Sequence, residues 1–383
     1  MTEDKRIVHI ALPSTGEPEW EAVRDPIMSG WLTQGPKVAA FEKRFSEMHQ
    51  VQNALATTSC TTALHLALAA YGIGPGDEVI VPAFTWVATA NVVLYCGATP
   101  VFADVDPITF NIDVNDALSR VTDKTKAIIP VHLFGLCADI DALRAGLPTH
   151  VKIIEDAACA AGAQYKKQYA GGLGDAAAFS FHPRKSITTG EGGMLTSNDT
   201  TFSDIAEKLR NHGAEISEEQ RHAGPRPYLL PDFNMLGFNY RMTDLQGAVG
   251  LVQLDKLHGF IEQRAEWAKW YRSELKDVSW LRCPEEPENG KHAWQAFVTY
   301  VDPDKAPFSR NEIMDKLQTK GIATRPGTHA VHMLDYYANK YNLSVNDFPG
   351  AKLCDENTMA IPLHNRMELE DFKYVVRAIH EIG

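Results

Sequence analysis

The chain has 383 residues, 44% hydrophobic and 22% charged, the make-up of a globular protein and not of a disordered, collagenous or coiled-coil chain. Its 49 acidic side chains exceed its 37 basic ones, and the net charge of -12 argues against nucleic acid or an anionic membrane as partner. The length predicts two domains, and with no signal-like apolar run at the start and no later apolar stretch of about 18 residues, a cytoplasmic, soluble protein is expected.

Between about Asn53 and Leu195 short β-branched runs alternate with amphipathic stretches. That pattern predicts an α/β fold, an open and mostly parallel sheet of about seven strands wrapped by helices. The expected strands are Ala54–Ala56, Glu78–Val81, Thr99–Val105, Ala127–Val131, Lys152–Glu155, Ala176–Phe181 and Gly193–Thr196. Helices are expected near Thr61–Tyr71, Thr89–Tyr95, Val114–Arg120 and Asp139–Ala145. After Met242, helical periodicity runs for over thirty residues, long enough to leave one domain and enter another. The remainder reads as a loop (WLRCPEEPENG), a strand (AWQAFVTYV) and a helix with a glycine stop (NEIMDKLQTKG). The expected division is therefore 1–255 for a large α/β domain and 256–383 for a small α+β domain. The six cysteines form no CxxC pair and have no histidine at metal-ligand spacing, so neither disulfides nor bound metal are expected.

In such a sheet, ligands bind beyond the carboxyl ends of the strands. Asp156 ends the strand KIIE, and Lys185 follows the strand Ala176–Phe181 in FSFHPRKSITTGEGG. The two could be an ordinary ion pair. They are also the pair that pyridoxal phosphate requires, an amine to form a Schiff base with its aldehyde and a carboxylate to keep its ring nitrogen protonated. Ser59, Cys60 and Thr61 sit between a strand and an apolar helix, where free N–H groups and the helix dipole favour a phosphate; capping alone is the other reading of Ser59 or Thr61. Ser180 offers a second hydroxyl, or is a strand serine on a half-buried face. Trp86 stands at the same edge, able to stack on a planar ring or to fill core.

These pieces occur in the order and spacing of one family. The strings GWLTQGP, TSCTTALHLAL, VPAFTWVATAN, PVFADVDP, PVHLFG, IEDAACAAGA, GDAAAFSFHPRKSITTGEGGM and GFNYRMTDLQGAVGLVQL resemble the DegT/DnrJ/EryC1/StrS sugar aminotransferases, pyridoxal-phosphate enzymes of fold type I, along nearly the whole chain. The resemblance implies that Lys185 is the Schiff-base lysine and Asp156 the partner of the ring nitrogen. It implies that Ser180 and the amides of Cys60 and Thr61 hold the phosphate, that Trp86 stacks on the ring, and that Asn239 reaches the phosphate of a neighbouring subunit, which makes a homodimer with shared active sites the working unit. Two positions depart from the common pattern: Cys60 replaces the usual glycine of SGT, and Cys159 stands where many members carry Gln or His near the cofactor face.

The implied reaction is ping-pong transfer of an amino group from L-glutamate to a keto sugar, in amino-sugar synthesis for surface polysaccharide such as lipopolysaccharide. Members that dehydrate sugars carry histidine in place of the lysine, so Lys185 favours aminotransfer over dehydration, and an intact Lys185, Asp156 and Ser180 favours an enzyme over a non-catalytic or regulatory member. The segment Ala323–Tyr337 is basic and histidine-rich; Arg325, His329 and His332 are the expected anion-binding substrate contacts, or else members of a solvated loop. That segment resembles members that aminate the 8-position of the octulosonate Kdo, whereas most members act on nucleotide-linked keto-hexoses. A nicotinamide enzyme is disfavoured, because GIGPGD (Gly72–Asp77) precedes a strand instead of following one.

Overall fold

The computed structural model describes residues 6–216, 224 and 228–383. Seven strands build the main sheet: β1 (Asn53–Thr57), β2 (Glu78–Pro82), β3 (Thr99–Ala103), β4 (Thr125–Ile128), β5 (Lys152–Asp156), β6 (Ala176–Ser180) and β7 (Gly193–Ser197). Their spatial order is β1, β7, β6, β5, β4, β2, β3. Only β7 runs against the others, antiparallel to both neighbours.

The strands are apolar on both faces because helices cover both. Successive residues alternate between two cores. Val79, Val81 and Ile154 pack with Leu64 and Val92 on one side, and Ile80 and Ile153 pack with Ala117 and Leu143 on the other. The helices Cys60–Ala70, Ala88–Tyr95, Val114–Ser119 and Ile140–Gly146 make the expected crossovers. Helices Glu17–Ser29, Pro36–His49 and Thr200–Arg210, and in the C-terminal part Asp335–Tyr341, Pro349–Asn357 and Leu369–His380, lie outside the expected elements.

The helix Asp244–Glu274 spans 31 residues and belongs to two cores. Its first half places Leu254, Leu257 and Ile261 against Phe41, Phe45 and Phe179. Its second half places Ala268 and Tyr271, with Leu275 just past its end, against Trp280, Phe297 and Phe372. The second core lies beside a small antiparallel sheet of Leu281–Arg282, Phe297–Val301 and Thr358–Ile361. Val8 joins that core too and bridges Ile322, so the N-terminal segment serves the C-terminal half. Among the described residues no helix is long and apolar enough to cross a membrane, and no His, Cys, Asp and Glu cluster could hold a metal ion.

Asp244 fixes the start of the long helix against another helix start. Its carboxylate accepts the backbone N–H groups of Lys37 at 3.1 Å and Val38 at 3.0 Å, while the missing side chain of Gly247 lets the two helices touch, since a Cβ there would fall 2.8 Å from the Val38 nitrogen. Asp244→Ala strands two N–H groups in a buried place, and a loss of about 2 kcal/mol of stability is expected in chemical denaturation.

Candidate active site

The carboxyl ends of the strands open on a cavity of about 380 Å³. Ser59, Cys60, Thr61, Trp86, Asp156, Cys159, Ser180 and Lys185, all expected from sequence, line it. The sheet explains the convergence. β5 and β6 are parallel neighbours with Asp156 opposite Ala178, so the strand that ends in the carboxylate lies beside the strand that leads to Ser180 and Lys185.

Asp156 is 5% exposed. Its Oδ2 accepts the Thr89 hydroxyl at 2.8 Å, and its Oδ1 accepts the Ala158 N–H at 3.2 Å. Thr89 lies 3.0 Å from the hydroxyl of Thr85, so a short hydroxyl chain leads from the cavity wall to the carboxylate. No cation pairs with Asp156 within 4 Å among the described residues. Burial raises its pKa, although Thr89, Ala158 and the more distant Lys185 pull the other way. A carboxylate in this condition fits a positively charged ring nitrogen, which would supply the missing charge.

Lys185 reaches the cavity from a turn after β6, its N–H donating to the His182 carbonyl at 2.8 Å. Its Nζ donates to the Cys159 sulfur at 3.2 Å. Burial opposes the ammonium form, but the Cys159 sulfur, then Cys60 and Asp156, outweigh it and hold the amine above its ordinary pKa.

Ser59, also in the cavity lining, is the N-cap of the helix Cys60–Ala70. Its hydroxyl accepts the Thr62 N–H at 3.2 Å, and its own N–H donates to the Thr62 hydroxyl at 3.0 Å. Ser59 therefore both caps the helix and faces the cavity. Gly193 on β7 is what lets the helix start come so near the sheet, since a Cβ there would lie 2.4 Å from the Ser59 carbonyl carbon. The cradle keeps its N–H donors at Cys60 despite the side chain, because the thiol turns inward, donating to the Ala178 carbonyl at 3.5 Å. A helix start beside a serine, an amine and a buried carboxylate together fit the phosphate, aldehyde and ring nitrogen of pyridoxal phosphate.

Trp86 is 54% exposed at the cavity mouth. The two residues before it, Phe84 and Thr85, pair with Ala330 and His329 in a short antiparallel ladder, and the Trp86 ring stands 5.7 Å from that of His329. Arg325 lines the cavity. Burial, then the neighbouring Arg184, hold the Arg325 guanidinium below its ordinary value. His332 is a correction to the expected substrate contacts: it is fully buried, its Nε2 3.3 Å from the Val345 carbonyl and its ring 4.8 Å from Phe348, and it does not line the cavity. Asn239 is exposed and outside the cavity of the single chain.

Several cavity residues were not anticipated. Thr85 follows the strand EVIVP beside Trp86 and lines the cavity, while Thr89, fully buried behind the lining, donates its N–H to the Trp86 carbonyl at 3.1 Å, so their place beside Trp86 was a usable signal. Arg184 precedes Lys185, and its carbonyl accepts from Gln295 at 2.8 Å. Ile10 and Ala11 arrive from the N-terminal segment, a long-range contact with no local sequence mark.

The sequence matches the profile of the DegT/DnrJ/EryC1/StrS aminotransferase family over residues 13–380. It is 39% identical over 374 residues to the spore coat polysaccharide biosynthesis protein SpsC of Bacillus subtilis, covering 97% of this chain and 96% of that one. It is 37% identical over 378 residues to the GDP-perosamine synthase of Caulobacter vibrioides, covering 98% of each. Among solved structures, the putative sugar aminotransferase Spr1654 of Streptococcus pneumoniae, known in PLP and PMP forms, superimposes with a TM-score of 0.90 at 30% identity over 98% of both chains. The chain belongs to the DegT/DnrJ/EryC1/StrS family and is a pyridoxal-phosphate-dependent aminotransferase of fold type I.

Thr89→Val removes the hydroxyl donor from Asp156 without changing side-chain shape. Pyridoxal phosphate affinity, followed by absorbance titration, is expected to fall roughly tenfold to a hundredfold, as for a lost hydrogen bond to a charged group, with Thr89→Ser restoring most of it.

Proposed function

We propose that the chain moves the amino group of L-glutamate onto a keto sugar used in surface-polysaccharide synthesis. The observation that carries this reading is the company Lys185 and Asp156 keep: their cavity is also lined by Arg184 and Arg325, and burial, then Arg184, hold the Arg325 guanidinium below its ordinary value. Two guanidiniums beside the reacting amine suit substrates that carry acid groups. Glutamate has two carboxylates, and the candidate acceptors carry a carboxylate or a diphosphate. The similarity to a perosamine synthase and to a spore coat polysaccharide protein supports a sugar as the acceptor.

When bound, pyridoxal phosphate supplies an aldehyde for the incoming amine and a ring that draws off electrons. The protein does the rest. Lys185 acts as nucleophile, then as the base and acid that carries one proton across the face of the substrate. Asp156, held by Thr89 and the Ala158 N–H, keeps its charge directed at the ring nitrogen. Ser59, Thr61, Ser180 and the N–H groups at the start of the helix Cys60–Ala70 take the phosphate. Trp86 and the adjoining ladder to His329–Ala330 cover the mouth and limit water. Arg325, aided by Arg184 and with His329 at the rim, orients the acid group.

The working unit in this reading is a homodimer. In its support, the chain segment leading to Asn239 exposes large apolar side chains, with Tyr228 at 75%, Leu230 at 84%, Phe233 at 58% and Leu236 at 91%, a surface suited to a second copy. Asn239 then reaches the neighbouring site.

Borohydride treatment of the yellow holoenzyme is expected to fix the chromophore on the peptide that contains Lys185, and Lys185→Ala to cut turnover on the order of 1000-fold or more; full activity in that variant overturns the assignment. A panel of nucleotide-linked keto-hexoses and 8-keto-Kdo, with 2-oxoglutarate release from glutamate as readout, identifies the acceptor, and no release with any keto sugar rejects the sugar reading. Arg325→Gln is expected to raise the KM for glutamate roughly tenfold or more with a smaller change in kcat.

A further inference from the structure

Aminotransfer uses Lys185 in two proton states. As a free amine it attacks and takes a proton; as an ammonium it gives the proton back. Something in the protein has to set the balance between them, because burial by itself favours only the neutral form.

The contact that bears on this is with Cys159. Among the described residues the Cys159 sulfur is the one hydrogen-bond partner of the Lys185 Nζ, at 3.2 Å. The backbone that carries the sulfur is closely held. Cys159 sits in the turn that follows Asp156, closed by the Ala160 N–H donating to the Ala157 carbonyl at 2.9 Å and by the Ala158 N–H on the Asp156 carboxylate at 3.2 Å. Its carbonyl packs against Gly135, where a Cβ would lie only 3.2 Å away and the backbone is left-handed at φ +106. One rigid loop thus carries both the carboxylate for the ring nitrogen and the acceptor for the lysine. Cys60, the other thiol of the cavity, is engaged elsewhere, with the Ala178 carbonyl at 3.5 Å and Asp156 at 3.9 Å.

We propose that Cys159 is the positioning residue of Lys185: its sulfur accepts the amine N–H, holds Nζ toward the cavity and favours the protonated amine. No covalent or redox step is involved. Asp156 and Cys60 act on Lys185 in the same direction, but without a direct hydrogen bond to Nζ. The other charged and titratable groups of the cavity lining are Arg184 and Arg325, whose sign opposes an ammonium, Glu191, whose sign favours it, and His182, which burial, then Lys185 and Arg184 against the pull of Glu191, hold below its ordinary value; none of them is a hydrogen-bond partner of Nζ, so removing the sulfur takes away the one direct acceptor. The inference rests on the aminotransfer reading only through Lys185, and its test needs no sugar.

The sign of the effect separates this role from mere packing. A packing residue slows every step when removed, whereas loss of the acceptor frees more amine at neutral pH. Full-length wild type, C159A, C159V and C159S are stripped of cofactor, and the rate at which each turns yellow with pyridoxal phosphate is followed from about pH 7 to about pH 11.5, a range that extends past the ordinary lysine value of about 10.4. In C159A and C159V the midpoint of the rate profile is expected to move to lower pH by about one unit or more, which makes capture at neutral pH about tenfold faster per unit. C159S keeps an oxygen acceptor and is expected to stay near wild type. The same acid shift is expected in the pH profile of the glutamate half-reaction. A folded C159A or C159V whose profile superimposes on wild type overturns the proposal, as does a C159S shift as large as theirs. Failure of glutamate to react with the wild-type holoenzyme at any pH would instead count against the aminotransfer reading.

Discussion

The site depends on one uncompensated charge. Asp156 ends a central strand of the sheet, nearly sealed from water, and holds its carboxylate with a hydroxyl and a backbone N–H but no cation. An ionised group so placed costs several kcal/mol unless something charged meets it, and the rest of the fold has to absorb that cost. Its neighbour Glu155 shows the alternative. One residue earlier on the same strand, and so on the opposite face, Glu155 accepts the N–H groups of Gly171, Leu173 and Gly174 and the Nε2 of His132. Because His132 Nδ1 accepts the Ala138 N–H, that ring is the neutral Nε2–H tautomer, and the network is closed. One carboxylate is satisfied within the fold, and the next faces the cavity without a cation among the described residues.

Strand order turns this want into chemistry. β6 lies beside β5, so the chain that leaves β6 through Ser180 must pass the mouth of Asp156 before it can turn back into β7. Lys185 is delivered by that turn. β7 then runs antiparallel and brings Gly193 under Ser59, which seats the start of the helix Cys60–Ala70 on the sheet, with the Cys60 sulfur 3.9 Å from the carboxylate. Amine, carboxylate and helix start are thus placed by backbone connectivity, and their side chains need only short reaches.

Much of this was legible in sequence because the relevant signals are local. Each strand of the sheet is a short apolar run with a turn behind it, and Asp156 and Lys185 stand directly after such runs. The helix that follows Met242 declared itself by its periodic length. What escaped was set by distance. His332 looked like a partner of Arg325 and His329 on a basic loop, but the turn Val331–Met333 rotates its ring inward against Phe348, and nothing beside it in the sequence says so. Val8, Ile10 and Ala11 reach the C-terminal half and the cavity through a bridge to Ile322, from the far end of the chain. Helix Pro36–His49 could have been found, since Val38, Phe41 and Phe45 keep helical spacing; the signal was present and shorter than the one that follows Met242.

The overall charge of -12 gains meaning at this scale. A chain so acidic repels anionic substrates at long range, a repulsion that salt screens within about 10 Å. Inside the cavity the local balance is reversed, with Lys185, Arg184 and Arg325 facing Asp156 and Glu191. The two guanidiniums come from different parts of the chain: Arg184 rides on the turn after β6, while Arg325 is anchored beside Thr358–Ile361 by its backbone exchange with Ala360. Arg184 disfavours the charge of Arg325, and an anion bound between them would relieve that repulsion. In the proposed reaction an acidic substrate would therefore gain most where these two segments meet, in the same cavity as the Lys185 amine.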